Sequence, residues 1–243
     1  MIKKTKLYND KKYKYKVETH MHTNQGSACA ISTGAELARA YKRNGYCAII
    51  ITDHFFNGNT AVRGGHYSWE DKIALFMKGY EDAKSEGDKI GLGVYFGFEL
   101  ADNGSEFLVY NYGRDKLTEY PGIVTDNIEK SLTRIKREGG FIVHAHPFRD
   151  EYYIKNPGKL FPDYADAVEV INAHNKTNEM NRRALEYAEK YNLIKFSGSD
   201  AHSASPQEGG LAFKNRPESL EDILETAAKG GEEYVMLGEE YLL

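Results

Sequence analysis

Six of the eight histidines fall in four tight clusters, and each cluster directly follows a short apolar run. His20 and His22 follow residues 17–19, and Asp53-His54 follows 46–52. His144 and His146 follow 141–143, and Asp200 with His202 follows 194–197. Glu99 comes directly after a fifth run, 93–98. Side chains at i and i+2 of an extended segment point the same way. Each such pair can therefore aim two ligands at one point, provided the fold brings the strand ends together.

Strand-like and helix-like segments alternate along the whole chain. Short apolar runs at 17–20, 46–52, 93–98, 107–112, 141–143, 167–171, 194–197, 211–213 and 234–237 read as strands. Helical spacing occupies 35–43, 69–85, 127–138, 178–191 and about 219–228. Ile73, Phe76, Met77 and Tyr80 share one face of the second helix, and Gly139-Gly140 ends the third. This alternation predicts a largely parallel sheet covered by helices. Roughly seven β/α units in 243 residues point to a barrel, with an open doubly wound sheet as the alternative. We expect one domain over 1–243, with a basic segment at 1–15 and a flanking helix and strand at 214–243. In a β/α barrel the C-terminal strand ends meet at one mouth, where the clusters would converge.

Composition narrows the function classes. With 41% hydrophobic and 28% charged residues the chain reads as globular, and a formal net charge of -4 gives no nucleic-acid footprint. Lys3, Lys4, Lys6, Lys11, Lys12, Lys14 and Lys16 form a basic stretch that reads as a solvated segment. No apolar run reaches the roughly 18 residues of a membrane span, and no signal peptide is evident. Two cysteines, Cys29 and Cys47, without a CxxC pair, suit a reducing cytoplasm.

Each cluster alone is weak evidence, since a lone HxH is more often a pair of satisfied histidines. Four in phase with strand ends predict a metal centre. One ion takes about four to six ligands. The clusters with Glu99 offer up to nine, so two or three ions are expected. His66 and His174 lie outside the pattern and read as surface or loop residues, with His174 close enough to a strand end to line the mouth. Cys29 can approach the site, but activated water makes a thiolate nucleophile unnecessary. No P-loop, HExxH or nucleophile-elbow motif is present.

Jointly, the motifs resemble the PHP (polymerase and histidinol phosphatase) family of phosphoesterases, from about Lys16 to about Phe213. They are His20-Met21-His22-Thr23, Ile51-Thr52-Asp53-His54, Gly97-Phe98-Glu99, His146-Pro147-Phe148-Arg149 and Gly198-Ser199-Asp200-Ala201-His202. The resemblance implies a distorted (β/α)7 TIM-like barrel holding up to three zinc, manganese or iron ions, and hydrolysis of phosphate esters by metal-activated water. It implies that His20, His22, His54, Glu99, His146, Asp200 and His202 are metal ligands, with Glu99 bridging. The chain departs from the family pattern at Ser27 and Ala28, where an Asp or His is usual, and at Leu108, where a histidine is usual. Glu18 replaces an aspartate. His144 is the residue available to replace a missing ligand.

Arg149 is the candidate to grip the anionic substrate, and Asp53 to orient His54. Asp200, His54 and Arg149 are the candidate catalytic residues. The expected substrate is small, anionic and phosphorylated, chosen by loops 55–67 and 148–163. The alternatives are hydrolysis of a non-phosphate bond and a degenerate metal-binding module without turnover.

Overall fold

The computed structural model describes residues 11–152, 154 and 158–242; Lys3, Lys4, Lys6, Tyr153 and Lys155 lie outside the described residues. Among the described residues nine strands form one sheet. In chain order they are β1 (Tyr15–Glu18), β2 (Tyr46–Ile51), β3 (Gly93–Asp102), β4 (Ser105–Tyr110), β5 (Phe141–Ala145), β6 (Ala167–Asn172), β7 (Ile194–Gly198), β8 (Leu211–Phe213) and β9 (Tyr234–Met236). The sheet order is β7-β6-β5-β4-β3-β2-β1-β8-β9. A parallel bridge between Met21 and Ala201 joins the chain beyond β1 to the chain beyond β7, so the first seven strands form a nearly closed barrel.

The pairing is parallel throughout these seven, except that β4 runs antiparallel to both neighbours. The cause is local. Asn103 (φ 51°) and Gly104 (φ 99°) make a two-residue turn between paired Asp102 and Ser105. Asn-Gly is the favoured sequence for such a hairpin because both positions need positive φ. No crossover helix separates β3 from β4, so the sheet departs from strict β/α alternation. The N-terminal end of β4 consequently opens onto the same mouth as the C-terminal ends of the six parallel strands.

Among the described residues seven α-helices accompany the sheet: α1 (Gly34–Arg43), α2 (Trp69–Phe76), α3 (Lys78–Ile90), α4 (Arg114–Thr118), α5 (Ile128–Arg137), α6 (Asn178–Tyr191) and α7 (Leu220–Lys229). Thr33 and Glu36 close a capping box at the start of α1. The single helix expected over 69–85 is two, broken at Met77 (ψ -6°). On β5, Ile142 packs with Ile128, Leu132 and Ile135 of α5. Each such buried aliphatic side chain contributes about 1.5–3 kcal/mol. Val143 alternates to the opposite face and packs with Leu108 and Tyr110 of β4. β8 and β9 extend the sheet beyond β1, and Ser197 Oγ of β7 donates to the Leu237 carbonyl (2.7 Å). Among the described residues no helix is long and apolar enough to cross a membrane.

Candidate metal centre

The segment after β1 stays extended, as its backbone bonds to the barrel seam show: His22 N donates to Ala201 O (2.8 Å) and Ala201 N to His20 O (3.3 Å). His20 and His22 are fully buried and aim at one point. Their Nε2 atoms lie 3.1 Å apart. Asp200 Oδ1 is 3.1 Å from His22 Nε2 and 3.5 Å from His20 Nε2. Glu99 Oε1 lies 3.3 Å from His20 Nε2, and Oε2 lies 3.7 Å from His22 Nε2. An ion holding N and O ligands tetrahedrally at about 2.0–2.2 Å keeps them about 3.3–3.6 Å apart. His20, His22 and Glu99 converge closely enough for such an ion, with Asp200 beside both histidines.

Glu99 faces a second group. Its Oε1 is 3.2 Å from His146 Nε2, and Glu106 Oε2 is 3.6 Å from the same nitrogen. His54, Glu99 and Glu106 converge closely enough to hold an ion, and so do His22, His54 and His202. His54 Nδ1 sits 2.6 Å from Glu99 Oε2, yet both atoms are buried without a properly aligned hydrogen bond. Orphaned buried polar atoms are costly, and an ion between these groups would satisfy them.

The electrostatics agree. Burial pushes the His20 imidazole down, but the carboxylates of Glu169, Asp200 and Glu99 overcome this and hold it well above its ordinary value. A field that retains a proton on a buried imidazole favours a metal cation in the same place. Burial and neighbouring His54 keep His22 well below its ordinary value, hence neutral, as a ligand must be. For Asp200, burial pushes upward, but His20 and Arg149 hold it well below the carboxylate range.

Supporting residues orient the ligands. Glu169 Oε1 lies 2.8 Å from His20 Nδ1, and its Oε2 accepts from His146 N (3.0 Å) and Asn172 Nδ2 (2.9 Å). Asp53 reaches no ligand group. It accepts from Thr23 N (2.6 Å), Thr23 Oγ1 (2.7 Å) and Ser27 Oγ (2.7 Å), and Ser27 Oγ in turn accepts from His54 N (2.9 Å). Asp53 therefore braces the loop beneath His22 and His54. A Cβ at Gly26 would lie 2.3 Å from its carboxyl, so glycine is required there. His202 Nδ1 lies 2.8 Å from Asp200 O and can donate to it, which leaves the other ring nitrogen as the lone-pair donor.

Two expectations change. His144 does not join the cluster: its ring stacks on Phe107 (4.9 Å) and meets Phe161 and Tyr187 edge-on. It shares the outward face of β5 with Ile142, whereas His146 turns inward because its φ of 26° breaks the strand alternation. Arg149 stands where the anion-gripping reading needs it. It is 9% exposed, lines the mouth, and its Nη2 donates to Asp200 Oδ2 (2.7 Å) and Asn172 Oδ1 (2.8 Å). The gap at Leu108 is filled by Glu106, two residues earlier on the same face of β4. The sequence reading missed Glu106 and Glu169; a lone acid inside apolar Ala167–Asn172 was the available signal for the latter, because a buried charge needs partners.

Above the cluster lies a cavity of about 570 Å³, lined by Cys29, His54, Arg149, His174, Asp200 and His202 among others. His174 thus lines the mouth, while His66 is exposed and does not line it. Burial pushes the Cys29 thiol up, but hydrogen bonds from His202 and His54 outweigh it and bring it to about 6.

Residues 178–206, spanning α6, β7, Asp200 and His202, match the family described as PHP-associated (PHP_C). The fold resembles a two-domain protein of Bacteroides vulgatus containing a predicted PHP-like metal-dependent phosphoesterase. That likeness has a TM-score of 0.62 at 17% identity, over 87% of this chain and 61% of the other. The chain thus carries a PHP-associated segment on a fold like that of a PHP-like protein. The fold also resembles a candidate metal-dependent phosphoesterase of Bifidobacterium adolescentis, with a TM-score of 0.53 at 15% identity, over 90% of this chain and 97% of that one. The uncharacterized protein MJ0417 of Methanocaldococcus jannaschii is 34% identical over 113 residues, which are 44% of this chain. The match spans only 45% of that relative.

Proposed function

We propose that this chain is a PHP-family, metal-dependent hydrolase of phosphate esters, acting on small anionic substrates. One observation carries the reading: both oxygens of Glu99 are shared between two converging ligand sets. His20, His22 and Asp200 form one set; His146, Glu106 and His54 form the other. A carboxylate between two such sets fits a pair of divalent ions, with His202 at the edge. Bound zinc, manganese or iron would supply Lewis acidity, activating water and drawing off charge from a phosphoryl oxygen.

The chain's own residues do the rest. Glu169 and Ser27 fix the rings of His20 and His22. Arg149 braces Asp200 and presents a cation to the cavity, where it can fork onto a phosphate. Asp200 has one oxygen toward the histidines and the other on Arg149, so it serves as a ligand and not as a proton donor.

The test is a panel of phosphomono- and diesters, amides and lactones, run on metal-replete protein with phosphate release as one readout. Turnover confined to phosphate esters is the expected result. Turnover of amides or lactones alone would overturn the substrate class, and none at all would overturn the enzyme reading.

A further inference from the structure

Beside the ligands, three asparagines gather around Arg149. Asn172 closes β6, Asn175 lies in the loop that follows, and Asn181 sits on α6. Asn172 and Asn181 are buried. Arg149 Nη2 donates to Asn172 Oδ1 (2.8 Å) and Asp200 Oδ2 (2.7 Å), and its Nε to Asn175 Oδ1 (3.2 Å). Asn172 Nδ2 donates to Glu169 Oε2 (2.9 Å) and reaches toward Asp200 Oδ2 (3.5 Å). Asn175 Nδ2 donates to Asn181 Oδ1 (2.7 Å), which also accepts from Asn172 N (3.1 Å). Asn181 Nδ2 in turn donates to the Tyr241 carbonyl (3.3 Å), in the short C-terminal turn Glu239–Leu242.

The partners fix the orientation of every amide in this group. A guanidinium only donates, so the oxygens of Asn172 and Asn175 must face Arg149. Their nitrogens are thereby turned toward Glu169 and Asn181. A carboxylate at position 172 could not do both jobs: it would lose the donor to Glu169 and add negative charge beside Glu169 and Asp200. A buried polar network whose members are all satisfied is rigid. Nε and Nη2 of Arg149 are thus engaged. Among the described residues nothing takes the donors of Nη1, and Arg149 lines the cavity.

We propose that Asn172, Asn175 and Asn181 are positioning residues that hold Arg149 ready at the mouth, so that its remaining donors meet a phosphoryl group already oriented. The inference deepens the phosphate-ester reading above and rests on it. Ordering a long, rotamer-rich side chain during binding weakens affinity. The asparagines supply that order beforehand. Asn181 hydrogen-bonds neither Arg149 nor a metal ligand, so it acts only through Asn172 and Asn175. The C-terminal turn, through Tyr241, is the outer end of this support.

Two readouts on full-length, metal-replete protein test the proposal. The first is nitrogen-15 relaxation of the Arg149 Nε–H signal, assigned by its loss in Arg149→Lys. Wild type should give an order parameter near the roughly 0.85 of rigid backbone, and Asn181→Leu, branched alike but without hydrogen bonds, should bring it below about 0.6. The second is steady-state hydrolysis of p-nitrophenyl phosphate. Asn181→Leu should raise KM about 3- to 10-fold, the loss expected when one long side chain must be ordered on binding. Asn181→Asp keeps the acceptor for both N–H groups and should recover most of that KM. A merely structural role would lower the active fraction, and so kcat, without moving KM or the Arg149 signal. A rigid Arg149 signal in Asn181→Leu, or an unchanged KM, would overturn the proposal. No turnover by wild type would overturn the hydrolase reading instead, with the Arg149 signal still reporting whether the asparagines hold the guanidinium. Should Asn181→Leu fail to fold, Asn175→Ala, on a partly exposed loop, takes its place. It removes the Nε contact directly, the same two shifts are expected, and the absence of either contradicts the proposal.

Discussion

The chain carries the pattern His-x-His twice, and the structure uses the two copies in opposite ways. His20 and His22 follow β1 in extended chain, so both rings enter the cluster. His144 lies within β5 and points outward into an aromatic pocket, while His146, at φ 26°, turns in. A two-residue period aims two side chains together only while the backbone stays extended. One residue of positive φ between strand and loop divides the second pair into a ligand and a core residue. Both His144 nitrogens are buried without a hydrogen-bond partner, which is what a position kept for packing shows.

That contrast can be broken by substitution. The largest effect is expected at the first pair: His20→Ala, like Asp200→Ala, should lower metal affinity by more than about 100-fold and abolish hydrolysis, since losing even a supporting residue costs roughly 10–100-fold. Full metal retention by either variant would dissolve the first ligand set. Glu169→Gln removes the carboxylate behind His20 and should fall within that 10–100-fold range, measured by competition with a chelating dye. Arg149→Ala should raise KM for anionic esters and, because the guanidinium braces Asp200, loosen the metal by about tenfold. An unchanged metal affinity would confine Arg149 to substrate binding.

The smallest effect is expected at His144. His144→Phe should keep the metal and gain about 1 kcal/mol, by removing a buried polar group that lacks partners. The pH dependence sharpens this. Burial, with neighbouring His146 adding to it, holds the His144 imidazole down at about 3, against 6.5 ordinarily. Between these values the unfolded chain binds a proton that the folded chain does not, so stability must fall as pH drops from 6.5 toward 3. His144→Phe should flatten that fall in denaturant titrations. An identical slope would mean that the ring is hydrated or paired.

Much of the barrel and its mouth was legible in the sequence, because apolar runs and ligand clusters share one phase. The boundaries of α6 and β8 agree with the reading of residues 178–191 and 211–213. What escaped was local backbone geometry. Asn103-Gly104 is a strong hairpin signal, yet the strand was expected to begin at Phe107. Recognising the turn reverses β4 and brings Glu106, not Leu108, to the mouth. Met77 interrupts its helix two residues before Gly79, a break that the helical spacing of 69–85 did not announce. The positive φ of His146 has no local signal beyond the Pro147 that follows. Cys29 and His174 reach the site only through tertiary packing of their loops.

Metal content per chain tests the central claim most directly, by elemental analysis of protein purified without chelator or nickel resin. The shared carboxylate of Glu99 predicts about two or more equivalents of zinc, iron or manganese, unchanged in His144→Phe and reduced in His146→Ala. Less than about half an equivalent after adding metal back, or equal loss in both variants, would contradict the account.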